Sequence, residues 1–121
     1  MTLLRLIPIH VHAVLETILA PVLIVAPFAF GFSAPALVAS VVLGVILMGT
    51  ALGTGAALAG QDSGLRVSAH ASLDLGLALA AAVCSFALGF TVDPVAGLFF
   101  GAVAILQSLL ATTTRYSTLP A

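Results

Sequence analysis

Two histidine–carboxylate pairs are the residues of this sequence best suited to chemistry. His12 lies four residues before Glu16, and His70 lies four residues before Asp74. Residues four apart share one face of an α-helix. The chain has only four acidic residues, and two of them stand in these pairs. Both pairs lie in apolar segments, where an ionised side chain at bilayer depth costs about 2.5–3.5 kcal/mol and marks a functional candidate.

Our first interpretation of these pairs is structural. Polar side chains of membrane helices form hydrogen bonds between helices and fix how the helices dock. The alternative is a ligand-binding or transport protein. Two histidines and two carboxylates at one depth could bind a divalent metal, two histidines could serve a haem or a quinone, and ionisable side chains could carry protons or small ions.

The spacing of the pairs argues against a known type of metal centre. Di-metal sites in helical bundles use Glu-x-x-His spacing and four carboxylates, whereas the predicted spans have no such spacing and only two carboxylates. We therefore predict no metal and no cofactor, and keep His12, Glu16, His70 and Asp74 as candidate binding residues. The sequence has no cysteine cluster, no phosphate-binding glycine loop and no recognisable Ser/His/Asp set, so we predict no catalytic residues and no enzymatic activity.

The elements that must position these pairs are membrane helices. The 121 residues are 62% hydrophobic and 6% charged, with a mean hydropathy of +1.33, whereas a soluble domain has about 25% charged residues. The composition predicts a lipid bilayer as the main partner. The net charge is −1 and no basic patch is present, which excludes the electrostatic signature of nucleic-acid binding.

The chain is long enough for four spans. A spanning helix needs about 20 residues, and four apolar runs meet this length, at about 9–27, 35–59, 67–88 and 94–112. Proline-, glycine- or polar-rich stretches separate them. The sequence therefore predicts an all-α membrane protein with four transmembrane helices in a single membrane domain, 1–121.

The two pairs belong to an internal repeat. When the chain is shifted by 58 residues, positions 12–33 and 70–91 share ten identities in 22 positions. This predicts two helical hairpins, at about 9–59 and 67–112. Because each unit crosses the membrane twice, the hairpins should be parallel repeats related by a pseudo-two-fold axis along the membrane normal. The four residues of the pairs should then meet at one depth and point into the bundle.

The end of the first helix in each hairpin carries a family resemblance. The stretches "APFAFGF" and "CSFALGF" each follow a His-x3-acid pair. In this respect the chain resembles the SPW-repeat family of small bacterial and archaeal integral membrane proteins, named for a Ser-Pro-Trp step. Ala26-Pro27-Phe28 and Cys84-Ser85-Phe86 stand at that step, so both repeats are degenerate. The resemblance implies a two-helix membrane module and no established activity.

The arginines predict the orientation. Arg5, Arg66 and Arg115 all fall on one side of a four-span topology, and positive residues favour the cytoplasmic side. We predict a multi-pass protein of a prokaryotic cytoplasmic membrane with both termini in the cytoplasm. Ser63 should face the cytoplasm and Thr91 the opposite side.

Small residues predict where helices approach closely. Gly49 and Gly53 lie four residues apart in the second span, and Gly97 and Gly101 lie four apart in the fourth. Such spacing lets helix backbones come into contact. These glycines could serve packing within the bundle, or they could join the chain into a homo-oligomer or a larger membrane complex. We predict a structural or accessory component of the membrane or of such a complex.

Overall fold

The computed structural model describes residues 6–58 and 67–116 and has four long α-helices. They are α1 (Ile9–Ala29), α2 (Ala34–Leu58), α3 (Val67–Gly89) and α4 (Pro94–Thr113). Each is long and apolar enough to cross a membrane, and each begins and ends within two residues of a predicted span. The prediction of an all-α, four-helix membrane protein is confirmed.

The helices pack as two pairs. The main contacts of α1 are with α2 and those of α3 are with α4, while α2 and α3 join the pairs. Apolar side chains from all four helices fill the interior, and burial of such side chains in close packing holds membrane helices together through dispersion contacts. The buried core includes Leu19, Leu23, Leu43, Leu47, Leu77, Ala81, Phe100 and Val103.

A short backbone bridge closes one end of the bundle. Strand β1 (Ile7–Pro8) pairs in parallel with strand β2 (Thr114–Arg115). The bridge joins the start of α1 to the end of α4. It therefore holds the first and last described segments of the chain at the same end of the bundle.

The turns at the opposite end depend on glycine and on a helix cap. Gly31 has φ +66° between α1 and α2, a left-handed conformation that glycine adopts without steric penalty. Asp93 caps α4, because its carboxylate accepts a hydrogen bond from the Ala96 N–H at 3.1 Å. Pro94 follows in the first helical position, where a missing N–H leaves no backbone bond unmade.

The same carboxylate joins the two turns. Asp93 Oδ2 accepts a hydrogen bond from the Ser33 N–H at 2.7 Å. Hydrogen bonds from the Ser33 N–H, which has the larger effect, and from the Ala96 N–H hold the pKa of the Asp93 carboxyl below its ordinary value, because they stabilise the ionised form. Asp93 thus links the first hairpin to the second at the end of the bundle that lies away from the bridge.

This link should make part of the stability depend on pH. The folded protein lowers the pKa of Asp93 from its ordinary value of 3.8, so ionised Asp93 stabilises the fold above that pH and loses this effect as pH falls through the folded value. We expect Asp93→Asn to be less stable than the parent near neutral pH. The difference in melting temperature should shrink below pH 3.8, and a constant difference across a pH series would contradict the link.

Two of the glycines singled out in the sequence lie at the contact between α3 and α4. A Cβ atom on Gly97 would lie 2.4 Å from the Gly89 Cα, and one on Gly101 would lie 3.1 Å from the Ser85 hydroxyl. Both glycines therefore face α3, which agrees with the first of the two uses predicted for them, packing within the bundle. Gly49, by contrast, is exposed with open space around it.

Candidate functional site

Both histidine–carboxylate pairs lie inside the bundle and meet. His12 and Glu16 on α1, and His70 and Asp74 on α3, are between 0% and 2% exposed. One nitrogen or oxygen of each lies within 4.8 Å of those of the other three. We call these four side chains the polar cluster. Their inward orientation was expected from the insertion energy of carboxylates, and the structure confirms it.

The polar cluster is a ring in which histidines and acids alternate. His12 Nε2 lies 3.0 Å from Glu16 Oε1 and 2.9 Å from Asp74 Oδ2. His70 Nε2 lies 3.1 Å from Glu16 Oε2 and 3.2 Å from Asp74 Oδ2. Each imidazole therefore faces both acids, and two of the four contacts cross from one hairpin to the other.

The other nitrogen of His12 is fixed by the second hairpin. His12 Nδ1 lies 2.6 Å from the hydroxyl oxygen of Thr114. That hydroxyl donates its only proton to the Leu110 carbonyl at 2.5 Å. Because a hydroxyl has one proton to donate, the Thr114 oxygen must accept here, and Nδ1 of His12 must carry the hydrogen.

His70 is held in the same way by the first hairpin. Its Nδ1 forms a short hydrogen bond with the Thr54 hydroxyl, which donates to the Thr50 carbonyl at 3.0 Å. Nδ1 of His70 therefore also carries a hydrogen. In both histidines the protonated Nδ1 points outward from the ring of contacts, and Nε2 points to the carboxylates.

The carboxylates have partners outside the cluster as well. Gln107 Nε2 donates to Glu16 Oε1 at 3.0 Å, and the Tyr116 hydroxyl donates to Asp74 Oδ2 at 2.5 Å. Burial, together with the bond to Asp74, raises the pKa of the Tyr116 phenol, so the phenol stays a donor. Its ring also lies edge-on to His12, with ring centroids 5.3 Å apart.

Four residues outside the predicted pairs thus complete the site, and sequence reasoning missed them. We call them the outer partners: Thr54, Gln107, Thr114 and Tyr116. A weak signal existed for two of them. Gln107 is the only side-chain amide within the predicted spans, and Tyr116 is the only tyrosine. The threonines could not be distinguished from others near the helix ends.

Three atoms of the site remain without a hydrogen-bond partner among the described residues. They are His12 Nε2, Asp74 Oδ1 and Gln107 Oε1, all buried. His12 Nε2 is close enough to both acids for a bond, but the angles do not suit one. The direct bonds among the described residues therefore leave three buried polar atoms of the site unsatisfied.

The arrangement gives no support to a haem. The rings of His12 and His70 lie edge to face with centroids 5.5 Å apart, and both carboxylates stand against their Nε2 atoms. A haem between two axial histidines would need their Nε2 atoms on opposite faces of a macrocycle. The polar cluster leaves no space for one.

Comparisons with known proteins find nothing similar. No protein-family model matches the chain, no curated protein matches it, and no solved structure matches it. The resemblance to the SPW-repeat family therefore stays a prediction.

Two further side chains that could react or bind a metal, those of His10 and Cys84, lie elsewhere among the described residues. His10 is exposed on the first turn of α1, and its side chain is outside the polar cluster. Cys84 is a free, half-buried thiol on α3 that packs against the apolar core. Neither joins the candidate site.

Proposed function

We propose that this protein is a small, non-catalytic membrane protein that serves as a structural or accessory component, and that the polar cluster joins its two hairpins. The observation that carries the proposal is the direction of the contacts. Helices pair mainly within hairpins, whereas the bonds of the cluster and its outer partners mainly cross between them.

Crossing contacts give the joint its strength and its register. His12 of the first hairpin binds Thr114 of the second, and His70 of the second binds Thr54 of the first. Lipid tails provide no hydrophobic force that would hold helices together, so interhelical polar bonds and close packing must do so. A cluster at fixed depth also admits only one alignment of the two hairpins.

Neutral replacement of either acid tests this role. We expect Glu16→Gln and Asp74→Asn each to lower the free energy of unfolding in detergent, by about 0.6–1.7 kcal/mol per lost contact. Ser108→Ala, on the exposed face of α4, is the control and should leave stability unchanged. A structural joint is ruled out if both acid variants unfold like the parent protein.

The proposed location is a prokaryotic cytoplasmic membrane, with both termini in the cytoplasm. The one-sided distribution of Arg5, Arg66 and Arg115 supports this orientation. The β1–β2 bridge is compatible with it, because it holds both described ends of the chain at one end of the bundle.

Thiol labelling tests the orientation. In a Cys84→Ala background, an impermeant reagent should label Thr91→Cys on intact cells and should not label Ser63→Cys. Thr91 lies exposed in the turn before α4, whereas Ser63 lies outside the described residues. Labelling of both positions after lysis is the control, and the opposite pattern on intact cells would reverse the orientation.

We also propose that the chain is a two-unit protein of the SPW-repeat type. The start of α3 at Val67 lies 58 residues after the start of α1 at Ile9, which equals the offset of the sequence repeat. The matching residues His12 and His70, and Glu16 and Asp74, meet in one cluster. These placements support the pseudo-two-fold relation between the hairpins.

A further inference from the structure

We propose that the polar cluster binds one divalent first-row transition-metal ion. The ligands are Nε2 of both histidines and one oxygen each of Glu16 and Asp74. This inference goes beyond the structural role, and it can fail while that role stands.

The spacing of the donor atoms fits a single ion. The four contacts between an imidazole Nε2 and a carboxylate oxygen measure 2.9–3.2 Å. Ligands bound to a tetrahedral ion at about 2.0–2.2 Å stand about 3.3–3.6 Å apart. These contacts use Glu16 Oε1 toward His12 and Oε2 toward His70, and with one ligand atom from each residue all four atoms lie within 4.8 Å of one another. The sides of the ring must therefore widen by a few tenths of an ångström and the longer distances across it must shorten, which side-chain rotation can supply.

The histidines are set in the form that metals require. A ligating imidazole binds the ion through one nitrogen and donates the hydrogen of the other to a fixed acceptor. Thr114 and Thr54 are such acceptors, because each has already given its own proton to a carbonyl. Both Nε2 atoms are thereby directed into the centre of the cluster.

Hydrogen bonds from outer partners orient the two carboxylates, as they orient the two histidines. Gln107 donates to Glu16, and Tyr116 donates to Asp74. Each of the four proposed ligands thus has one outer partner of its own. A joint between two hairpins needs contacts across the hairpins, but it does not need every member to be oriented separately. Complete orientation of the ligands is a property of metal sites.

Unpartnered atoms supply a second observation that points to a ligand. His12 Nε2 faces two carboxylate oxygens at 2.9 and 3.0 Å yet makes no hydrogen bond of suitable angle. Asp74 Oδ1 is buried without a partner among the described residues, and its side chain is 0% exposed. A proton on His12 Nε2 can form a hydrogen bond with only one of the two carboxylates, whereas an ion at the centre contacts all four ligands together.

The charges balance in the apolar interior. Two neutral imidazoles and two carboxylates sum to −2, which one divalent ion cancels. A neutral site matters because uncompensated charge inside a bundle is expensive. Two nitrogen and two oxygen donors without a thiolate suit zinc, iron, cobalt or manganese, whereas calcium and magnesium require oxygen ligands almost alone.

Metal analysis of the full chain in detergent tests the inference. The protein is stripped with a chelator, dialysed against Zn(II) or Co(II), and analysed for bound metal. We expect one ion per chain in the parent and in His10→Ala, the control histidine that is exposed outside the cluster. His12→Ala and His70→Ala should lose the ion. Bound Co(II) should give the intense visible absorption of a tetrahedral complex.

A substitution outside the four ligands distinguishes loss of metal binding from loss of folding. Thr54→Val keeps the shape of the side chain and removes the acceptor of the His70 Nδ1 hydrogen, together with the hydroxyl's own bond to the Thr50 carbonyl. It should bind metal 10- to 100-fold more weakly, with helix content unchanged by circular dichroism. Absence of stoichiometric metal in the folded parent overturns the proposal, and so does metal that persists without His12 and His70. If the parent binds no metal but the Glu16→Gln variant is still less stable than the parent, the structural role survives alone.

Discussion

Replacing His70 with alanine is expected to lower the free energy of unfolding by about 3 kcal/mol, the low end of the 3–5 kcal/mol measured when a buried ion pair loses one partner. Glu16 and Asp74 would then share the single imidazole of His12, and one negative charge would remain uncompensated inside the bundle. Single interhelical hydrogen bonds in membranes average about 0.6 kcal/mol, so the unpaired charge outweighs the lost bonds. Thermal unfolding in chelator-treated detergent solution measures the change.

Two further variants isolate the charge. His10→Ala removes an exposed imidazole from the same bundle and should have no effect. The double variant His70→Ala with Asp74→Ala removes the surplus acid too and leaves the His12–Glu16 pair, which lies 3.0 Å apart. It should be more stable than His70→Ala alone. If the second substitution lowers stability further, an uncompensated charge is not the cause.

Adding one methyl group at Gly97 is the second large effect that we expect. The Cβ of alanine would lie 2.4 Å from the Gly89 Cα and 3.2 Å from the Ser85 carbonyl oxygen, and neither backbone atom can rotate away. Helices α3 and α4 must separate, and overpacking of this kind costs about 1–3 kcal/mol. Gly97→Ala should therefore unfold at a lower temperature than the parent.

Gly49 offers the matched control. It too lies within an apolar helix, but a Cβ there meets nothing within 4 Å. Alanine is favoured over glycine in helices by about 1 kcal/mol, so Gly49→Ala should leave stability unchanged or raise it. A loss of stability at Gly49 equal to that at Gly97 would show that backbone contact between α3 and α4 is not the reason.

The helices could be predicted because they depend on local features. Runs of about 20 apolar residues must form helices in lipid, where every backbone N–H and C=O needs an internal partner. Pro94 and Gly31 mark a start and a turn by their own backbone geometry. The side on which Gly97 packs depends instead on the angle between α3 and α4, and no local sequence pattern predicts that angle.

The four residues of the polar cluster could be predicted from the sequence, but their outer partners could not. His12 and Glu16, and His70 and Asp74, stand out because ionisable residues are rare in apolar helices, and the repeat places them at one depth. The two threonines among the outer partners are a common residue type near helix ends, and Gln107 and Tyr116 stand out by residue type alone. Their role comes from tertiary placement, such as the 102 residues that separate His12 from Thr114, and no local pattern encodes it.

The crossed threonine bonds have an evolutionary consequence. The histidine of each hairpin takes its Nδ1 acceptor from the other hairpin, so neither hairpin alone can satisfy its own histidine in this way. A gene encoding one such hairpin would need two copies of its product, facing each other about a two-fold axis, to build the same ring. Gene duplication and fusion would convert that dimer into one chain and free the two halves to diverge, as Glu16 and Asp74 have done.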